Sequence, residues 1–189
     1  MSVRRWILLA VLVSAAVPTL AADHYTLDPN HTYPSLEFSH MGLSIWRGKF
    51  NRTTGKVTLD RSAKNGTVEV QVDVASIDFG LDKMNEFALT ADWLNVEKFP
   101  TMTYQGVLVF DGDAPGSVYG NLTLLGATRP VTLRINSFKC MPHPLFKREV
   151  CGADAEGELN RADFGLSKYT EMDGGKIHLR IQVEALKDE

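Results

Sequence analysis

The residues of this chain best equipped for chemistry are few and scattered. Asp28, His31 and Ser35 bring together the three group types of an activated hydroxyl nucleophile. They lie close in sequence on a turn opened by Pro29 and Asn30, a placement that seldom gives triad geometry, and local turn chemistry is the simpler role for His31. Cys140, His143 and Cys151 offer soft ligands to a metal, yet they fall one short of the tetrahedral set of a structural zinc site. His40 shares a strand face with Leu36 and Phe38, which points it inward. There it is either a satisfied core imidazole or a contact for an oxygen of a bound molecule. The sequence contains no Gly-x-Ser-x-Gly elbow, no His-Glu-x-x-His pair and no phosphate-cradling glycine loop, so catalysis is not expected.

The N-terminus reads as a targeting segment. Arg4 and Arg5 precede the apolar stretch Trp6 to Val17, and small residues gather at Ala21 and Ala22, so residues 1–22 are expected to be a cleaved signal peptide. The pattern suits the general secretory route at least as well as the twin-arginine one. Removing it leaves about 167 residues, enough for one domain with a sizeable core. It also takes the Lys and Arg count from 20 to 18 against 23 acids, a formal charge of −5 that argues against a nucleic-acid binder. No later apolar run approaches membrane-spanning length, so a soluble periplasmic protein is expected. In an exported chain the isolated pair Cys140 and Cys151 points to a disulfide.

Period two dominates the rest. Val68, Val70, Val72 and Val74 alternate with polar residues, as do Val131, Leu133 and Ile135, and Ile177, Leu179, Ile181, Val183 and Ala185. Shorter runs recur at Tyr25 to Leu27, Pro34 to Met41, Ile45 to Phe50, Val57 to Leu59, Met102 to Phe110 and Val118 to Leu124. Turn formers separate them at Asp28-Pro29, Asn65-Gly66, Asp111-Gly112, Pro115-Gly116 and Asp173-Gly174-Gly175. Four Asn-x-Thr sequons, at Asn30, Asn51, Asn65 and Asn121, fit the same Asn-rich turns and Thr-rich strands. Met84, Phe87, Ala88, Ala91 and Leu94 recur at three and four residues instead, which predicts one helix over 81–95. The pattern is that of an all-β antiparallel sandwich or barrel with one inserted helix near an end, and the helix and aromatic content tilt it towards the barrel.

Several short motifs, in order, resemble the YceI-like family of periplasmic polyisoprenoid-binding proteins. They are Asp28-Pro29-Asn30-His31-Thr32, Phe38-x-His40-x-Gly42, Gly48-Lys49-Phe50 with Gly55, and Ser76-Ile77-Asp78-Phe79-Gly80. Phe99-Pro100-Thr101-Met102, Gly120-Asn121-Leu122-Thr123-Leu124 with the turn from Gly126 to Pro130, and Arg161-Ala162-Asp163-Phe164-Gly165 complete the series. Phe79 departs from the pattern, where a small polar residue is expected, and the segment from Cys140 to Cys151 looks like a subgroup feature. The resemblance implies a lipocalin-like, eight-stranded antiparallel barrel. Its elongated apolar cavity would hold an isoprenoid quinone or a polyprenyl phosphate. Such a protein carries lipid without catalysis, cofactor or metal. It further implies quinone traffic with a membrane b-type cytochrome as partner; monomer and homodimer both stay open.

Strand phase supplies the expected lining: Leu36, Phe38 and His40; Met102 and Tyr104; Leu122 and Leu124. Trp46, Phe50, Phe79, Phe87, Leu89, Trp93, Leu94, Phe99 and Phe164 add bulk near ends and bends, and Arg47, Asn85 and Arg161 are placed to meet a polar head group. A solidly packed core would use the same residue types, and it is the resemblance that favours a cavity. A carrier of fatty acids or fatty amides is the nearest alternative, and a small lipid-acting hydrolase or isomerase built around His40 a more distant one.

Overall fold

The computed structural model describes residues 22–173 and 175–189; the expected signal segment lies outside the described residues up to residue 21. Eleven strand segments make one antiparallel sheet. They are β1 (Asp23–Leu27), β2 (Tyr33–His40), β3 (Ser44–Phe50), β4 (Thr53–Asp60), β5 (Asn65–Asp73) and β6 (Ile77–Asp78), followed by β7 (Thr101–Asp111), β8 (Ala114–Leu124), β9 (Ala127–Pro142), β10 (Glu149–Asn160) and β11 (Lys176–Lys187). The helices α1 (Asp82–Leu89) and α2 (Thr170–Asp173) sit between β6 and β7 and between β10 and β11.

The eleven segments occupy eight positions, because three strands are broken in two. Strand β11 pairs with β1 from Ala185 to Lys187 and with β2 from His178 to Gln182, so β1 and β2 share one position beside it. Likewise β4 pairs with β1 while β3 pairs with β2, and β5 pairs with β4 while β6 pairs with β3. The β1–β11 pairing closes the ring, leaving the eight-stranded barrel that the family resemblance implies.

The breaks show what two of the sequence motifs do. Where β1 gives way to β2, Glu184 of β11 would lose its backbone partners. Thr32 supplies them: its hydroxyl donates to the Glu184 carbonyl at 3.2 Å and accepts from the Glu184 amide at 3.3 Å, while Asp28 N–H also donates to that carbonyl at 2.9 Å. Where β3 becomes β4, Ser76 accepts on its hydroxyl from Arg52 N–H at 3.0 Å and on its carbonyl from Asn51 N–H at 3.0 Å. The motif residues from Asp28 to Thr32 and around Ser76 are thus bend devices, each meeting backbone groups that a broken ladder exposes.

Helix α1 is shorter than the apolar spacing predicts. It ends at Leu89; Thr90 is extended, with its hydroxyl on the Phe87 carbonyl at 2.8 Å, and Asn95 takes φ 45°. The chain turns back on itself here, Leu94 N–H reaching the Ala88 carbonyl at 2.9 Å. Trp93 and Leu94 keep apolar phase but reach the barrel from a turn. Strand β10 escapes the sequence pattern, since Gly152, Ala153, Ala155 and Gly157 present too little apolar bulk to show alternation.

Candidate ligand-binding cavity

The inward positions do not meet across the barrel. They surround a cavity of about 250 Å3 that runs from Tyr25, Phe138 and Cys151 at the base to Phe38, Phe79 and Trp93 beside α1. All five alternating residues of β11, Ile177, Leu179, Ile181, Val183 and Ala185, line it. So do Val68, Val70 and Val72 of β5 and Val131, Leu133 and Ile135 of β9. The space exists partly because β10 contributes Gly152, Ala153 and Ala155 to the wall, where larger side chains would fill the lumen.

Of the residues expected to line the cavity, Leu36, Phe38, Phe50, Phe79, Trp93, Leu94, Met102, Tyr104, Leu122 and Leu124 stand in its wall. His40, Trp46 and Phe87 instead line a second, outer pocket of about 260 Å3, together with Met41, Met84, Tyr169 and Met172. Phe38 and Trp93 border both spaces. Leu89, Phe99 and Phe164 lie off the wall. Leu89 packs beside Phe50 and Ala88, and Phe164 is buried in the cluster around Val131 and Leu133. The Phe99 ring lies 3.1 Å from where a side chain on Gly126 would begin, so it braces the β8–β9 turn.

Two aromatic side chains use glycines to enter the interior. A Cβ on Gly120 would come within 2.6 Å of the Tyr104 hydroxyl, so that ring lies directly over the β8 backbone. Tyr104 donates to the Val131 carbonyl at 2.8 Å, and burial pushes its pKa up to about 12. A Cβ on Gly48 would come within 2.6 Å of the Phe79 ring, which meets Phe38 edge-on at 6.2 Å. Phe79 thus stands in the cavity wall at the α1 end, where the family pattern expects a small polar residue.

The polar groups placed for a head group are otherwise engaged. Arg47 is paired with Glu37 at 2.9 Å. Asn85 accepts from Phe79 N–H at 2.7 Å and donates to Asp78 at 3.2 Å, tying α1 to β6. Arg161 is buried, at 2% exposure, and its Nη1 donates to the Leu166 carbonyl at 2.8 Å and the Lys168 carbonyl at 2.5 Å, with the guanidinium 5.4 Å from the Trp93 ring centre. It stands with Leu166 in the wall of the barrel cavity and folds the segment after β10 over it. Two buried polar atoms at the cavity have no partner among the described residues: Thr53 Oγ1 and Trp93 Nε1. Neither is signalled by strand phase, because an unmet hydrogen bond is a property of the surroundings.

Elsewhere the candidate chemistry dissolves into structure. His31 Nδ1 and Asp28 Oδ2 are 2.8 Å apart, but the Ser35 hydroxyl turns to the Tyr33 carbonyl at 3.3 Å. The Asp28 hydrogen bond and charge raise the pKa of His31. Burial pushes Asp28 upward, and the bonds from His31 and Asn30 outweigh it, leaving its pKa below the ordinary value. Cys140 and Cys151 face each other across β9 and β10 and are joined, S–S 2.05 Å, so both sulfurs a metal would need are spent. Arg61 Nη2 reaches Glu149 at 2.8 Å beside that bridge, and Tyr25 donates to Glu149 at 2.5 Å, which seals the base.

Comparison with known proteins places this barrel. The YceI-like domain model matches residues 25–185. The chain belongs to the YceI-like family. A UPF0312 protein of Shewanella denitrificans is 30% identical over 188 residues, covering 95% of this chain and 97% of the relative. One from Pseudomonas aeruginosa is 28% identical over 171 residues, covering 89% and 88%. Among solved structures, Burkholderia cenocepacia BcnA superposes with a TM-score of 0.69 at 20% identity, covering 84% of this chain and 98% of that one. A polyisoprenoid binding domain from Saccharophagus degradans gives 0.62 at 14% identity, covering 87% and 98%. At those identities the two structures establish the YceI-like fold.

Proposed function

We propose that this protein is a non-catalytic carrier that is exported to the periplasm and encloses an isoprenoid lipid, with no cofactor. The observation that carries the reading is the apolar cavity along the barrel axis, walled almost wholly by hydrocarbon. A lipid tail leaving water for such a wall gains roughly 25 cal/mol per Å2 of apolar surface removed, less the cost of ordering a flexible chain. The barrel cavity alone falls just short of the roughly 300–1,000 Å3 usual for ligand sites. The outer pocket, of similar size, shares Phe38 and Trp93 with it as a common wall, and rotation of either ring would open the two into one space within that range. The polyisoprenoid binding domain among the solved relatives supports the same ligand class here.

The outer pocket favours a neutral head group over a phosphate. Its lining holds no Lys, Arg, Asp or Glu, so a phosphate there would find no countercharge. It offers instead the aromatic faces of Trp46 and Phe87 and the His40 ring, 5.1 Å from Trp46. An isoprenoid quinone fits both volumes: its tail in the barrel, its flat ring among aromatics, a carbonyl within reach of a donor.

Native mass spectrometry of protein purified from its own host, followed by organic extraction, tests the ligand. A co-purifying isoprenoid quinone is expected. A fatty amphiphile would replace the reading with the fatty-acid carrier, and an empty barrel that takes up no isoprenoid would end it. In tryptophan-fluorescence titrations the His40→Phe variant should bind a quinone about tenfold more weakly, the scale of one neutral hydrogen bond. Tighter binding of polyprenyl phosphate than of quinone would refute the head-group assignment.

A further inference from the structure

At the base of the barrel the β9–β10 hairpin runs on as an arm that combines exposed apolar side chains with basic ones. Strand β9 leaves its pairing with β8 after Arg134, and β10 meets β11 only from Val150 onward, so residues 142–149 stand beyond the barrel. Leu145 is 79% exposed and Phe146 54%, with Met141 at 45% on the strand below. Side chains of this size left in water carry an unfavourable hydration cost, and here they converge on one tip.

The tip is folded by its own hydrogen bonds. His143 Nδ1 accepts from the Leu145 and Phe146 amides at 3.1 and 3.2 Å, and its ring stacks on Phe146 at 4.5 Å. His143 N–H donates to the Arg148 carbonyl at 2.6 Å, which closes the loop, and the Cys140–Cys151 bridge clamps its root. Leu145 is therefore held outward by a preformed turn.

Charge sets the arm apart as well. In a chain of net charge −3, the stretch from Lys139 to Arg148 contains Lys139, Lys147 and Arg148 and not one acid. Lys139 and Lys147 are exposed. The nearest acids at the root are already matched: Glu149 pairs with Arg61 at 2.8 Å, and Asp23 with Lys187 at 2.6 Å. Lys139, Lys147 and Arg148 make no ion pair among the described residues, and Arg148 Nη1 donates to the Lys187 carbonyl at 3.2 Å. An apolar tip collared by such cations is the pattern that enters a lipid head-group layer, where the cations meet phosphates and the side chains reach the acyl boundary.

We propose that this arm docks the protein on the surface of an anionic phospholipid bilayer, with Leu145 and Phe146 inserted and Lys139, Lys147 and Arg148 at the phosphate level. A protein partner fits less well, because a specific protein interface needs on the order of 800 Å2 per side, and this surface is the point of a hairpin. The docking is independent of what the cavity holds. It orients the barrel base-down and keeps the α1 end, with its outer pocket, facing away from the membrane.

Sedimentation of the purified protein with vesicles tests this. Vesicles half phosphatidylglycerol and half phosphatidylcholine, free of isoprenoid, should bind the protein at low salt and release it at high salt; pure phosphatidylcholine vesicles should bind it weakly. Changing Lys139, Lys147 and Arg148 together to Gln should weaken binding about a hundredfold, and Leu145→Ser with Phe146→Ser about tenfold or more. Unfolding midpoints verify that each variant stays folded, and the charge variant alone decides the matter if the apolar one does not. Vesicle binding that ignores charge, that survives both sets of substitutions, or that is lost instead with Leu43→Ser and Phe87→Ser at the opposite end would overturn the proposal. So would an arm that captures a protein and no lipid.

Discussion

Two buried threonines provide the sharpest check on how this barrel is held together. Thr32 and Thr53 are 2% and 1% exposed, and both border the cavity. The Thr32 hydroxyl bridges the amide and carbonyl of Glu184, whereas Thr53 Oγ1 meets no partner among the described residues. Valine keeps the shape of either side chain and removes the hydroxyl. At Thr32 that leaves the Glu184 amide of β11 unserved, while its carbonyl keeps the Asp28 N–H, and the loss should be about 1–3 kcal/mol. At Thr53 it removes a polar atom already deprived of water, and the variant should gain about 1–2 kcal/mol. For a domain of this size, roughly 2–4 °C in Tm accompanies each kcal/mol, so Thr53→Val should melt about 2–8 °C higher and Thr32→Val lower. Urea unfolding of delipidated protein measures both, with an unchanged m-value showing that stability alone has moved. The reasoning fails if the two variants shift in the same direction. A destabilised Thr53→Val in particular would mean that its hydroxyl is bonded in solution and that the cavity wall is wetter than the geometry implies.

The remaining expectations concern the base of the barrel. Burial pushes Glu149 up, but the bonds from Tyr25 and Arg61 outweigh it and hold its folded pKa below 4.5. A carboxylate lowered by folding contributes above its unfolded pKa and loses that contribution as pH falls through the folded one. Stability should therefore decline below about pH 4.5, and Glu149→Gln should flatten part of that limb in urea titrations taken across pH; an unchanged slope would dismiss the linkage. Burial first, and the Glu149 bond second, push Tyr25 up to about 12, so its contribution is complete below pH 10.0 and lost as pH rises through about 12. Tyr25→Phe should remove that alkaline component. Opening the Cys140–Cys151 bridge, which spans 11 residues, should cost about 3 kcal/mol in the loop-entropy account. Replacing both cysteines by serine should lower the urea midpoint accordingly, and a midpoint that stays put would show the hairpin closed without it.

Alternation alone determines much of this protein. Where large aliphatic residues keep strict period two, as from Ile177 to Ala185 or Val68 to Val72, the strand, its inward face and its place in an all-β domain can be read directly, because a one-residue slip would turn the whole face to water. The disulfide is legible for a similar reason: two isolated cysteines in a chain expected to be exported have few other uses. Strand β10 is hidden because its inward residues are small, and that same smallness leaves the lumen open. The division of the aromatics between a barrel cavity and an outer pocket is also invisible in one dimension. Phe38 and His40 share a face in sequence, yet at the α1 end His40 lines only the outer pocket while Phe38 borders both spaces. Arg161 illustrates the limit most clearly. Its charge marks it as a head-group contact, and only the fold brings the carbonyls of Leu166 and Lys168 around it. Local pattern fixes which way a side chain faces; what it meets there depends on segments distant in the chain, and so do the size of the cavity and the hydrogen bonds left unmade at its wall.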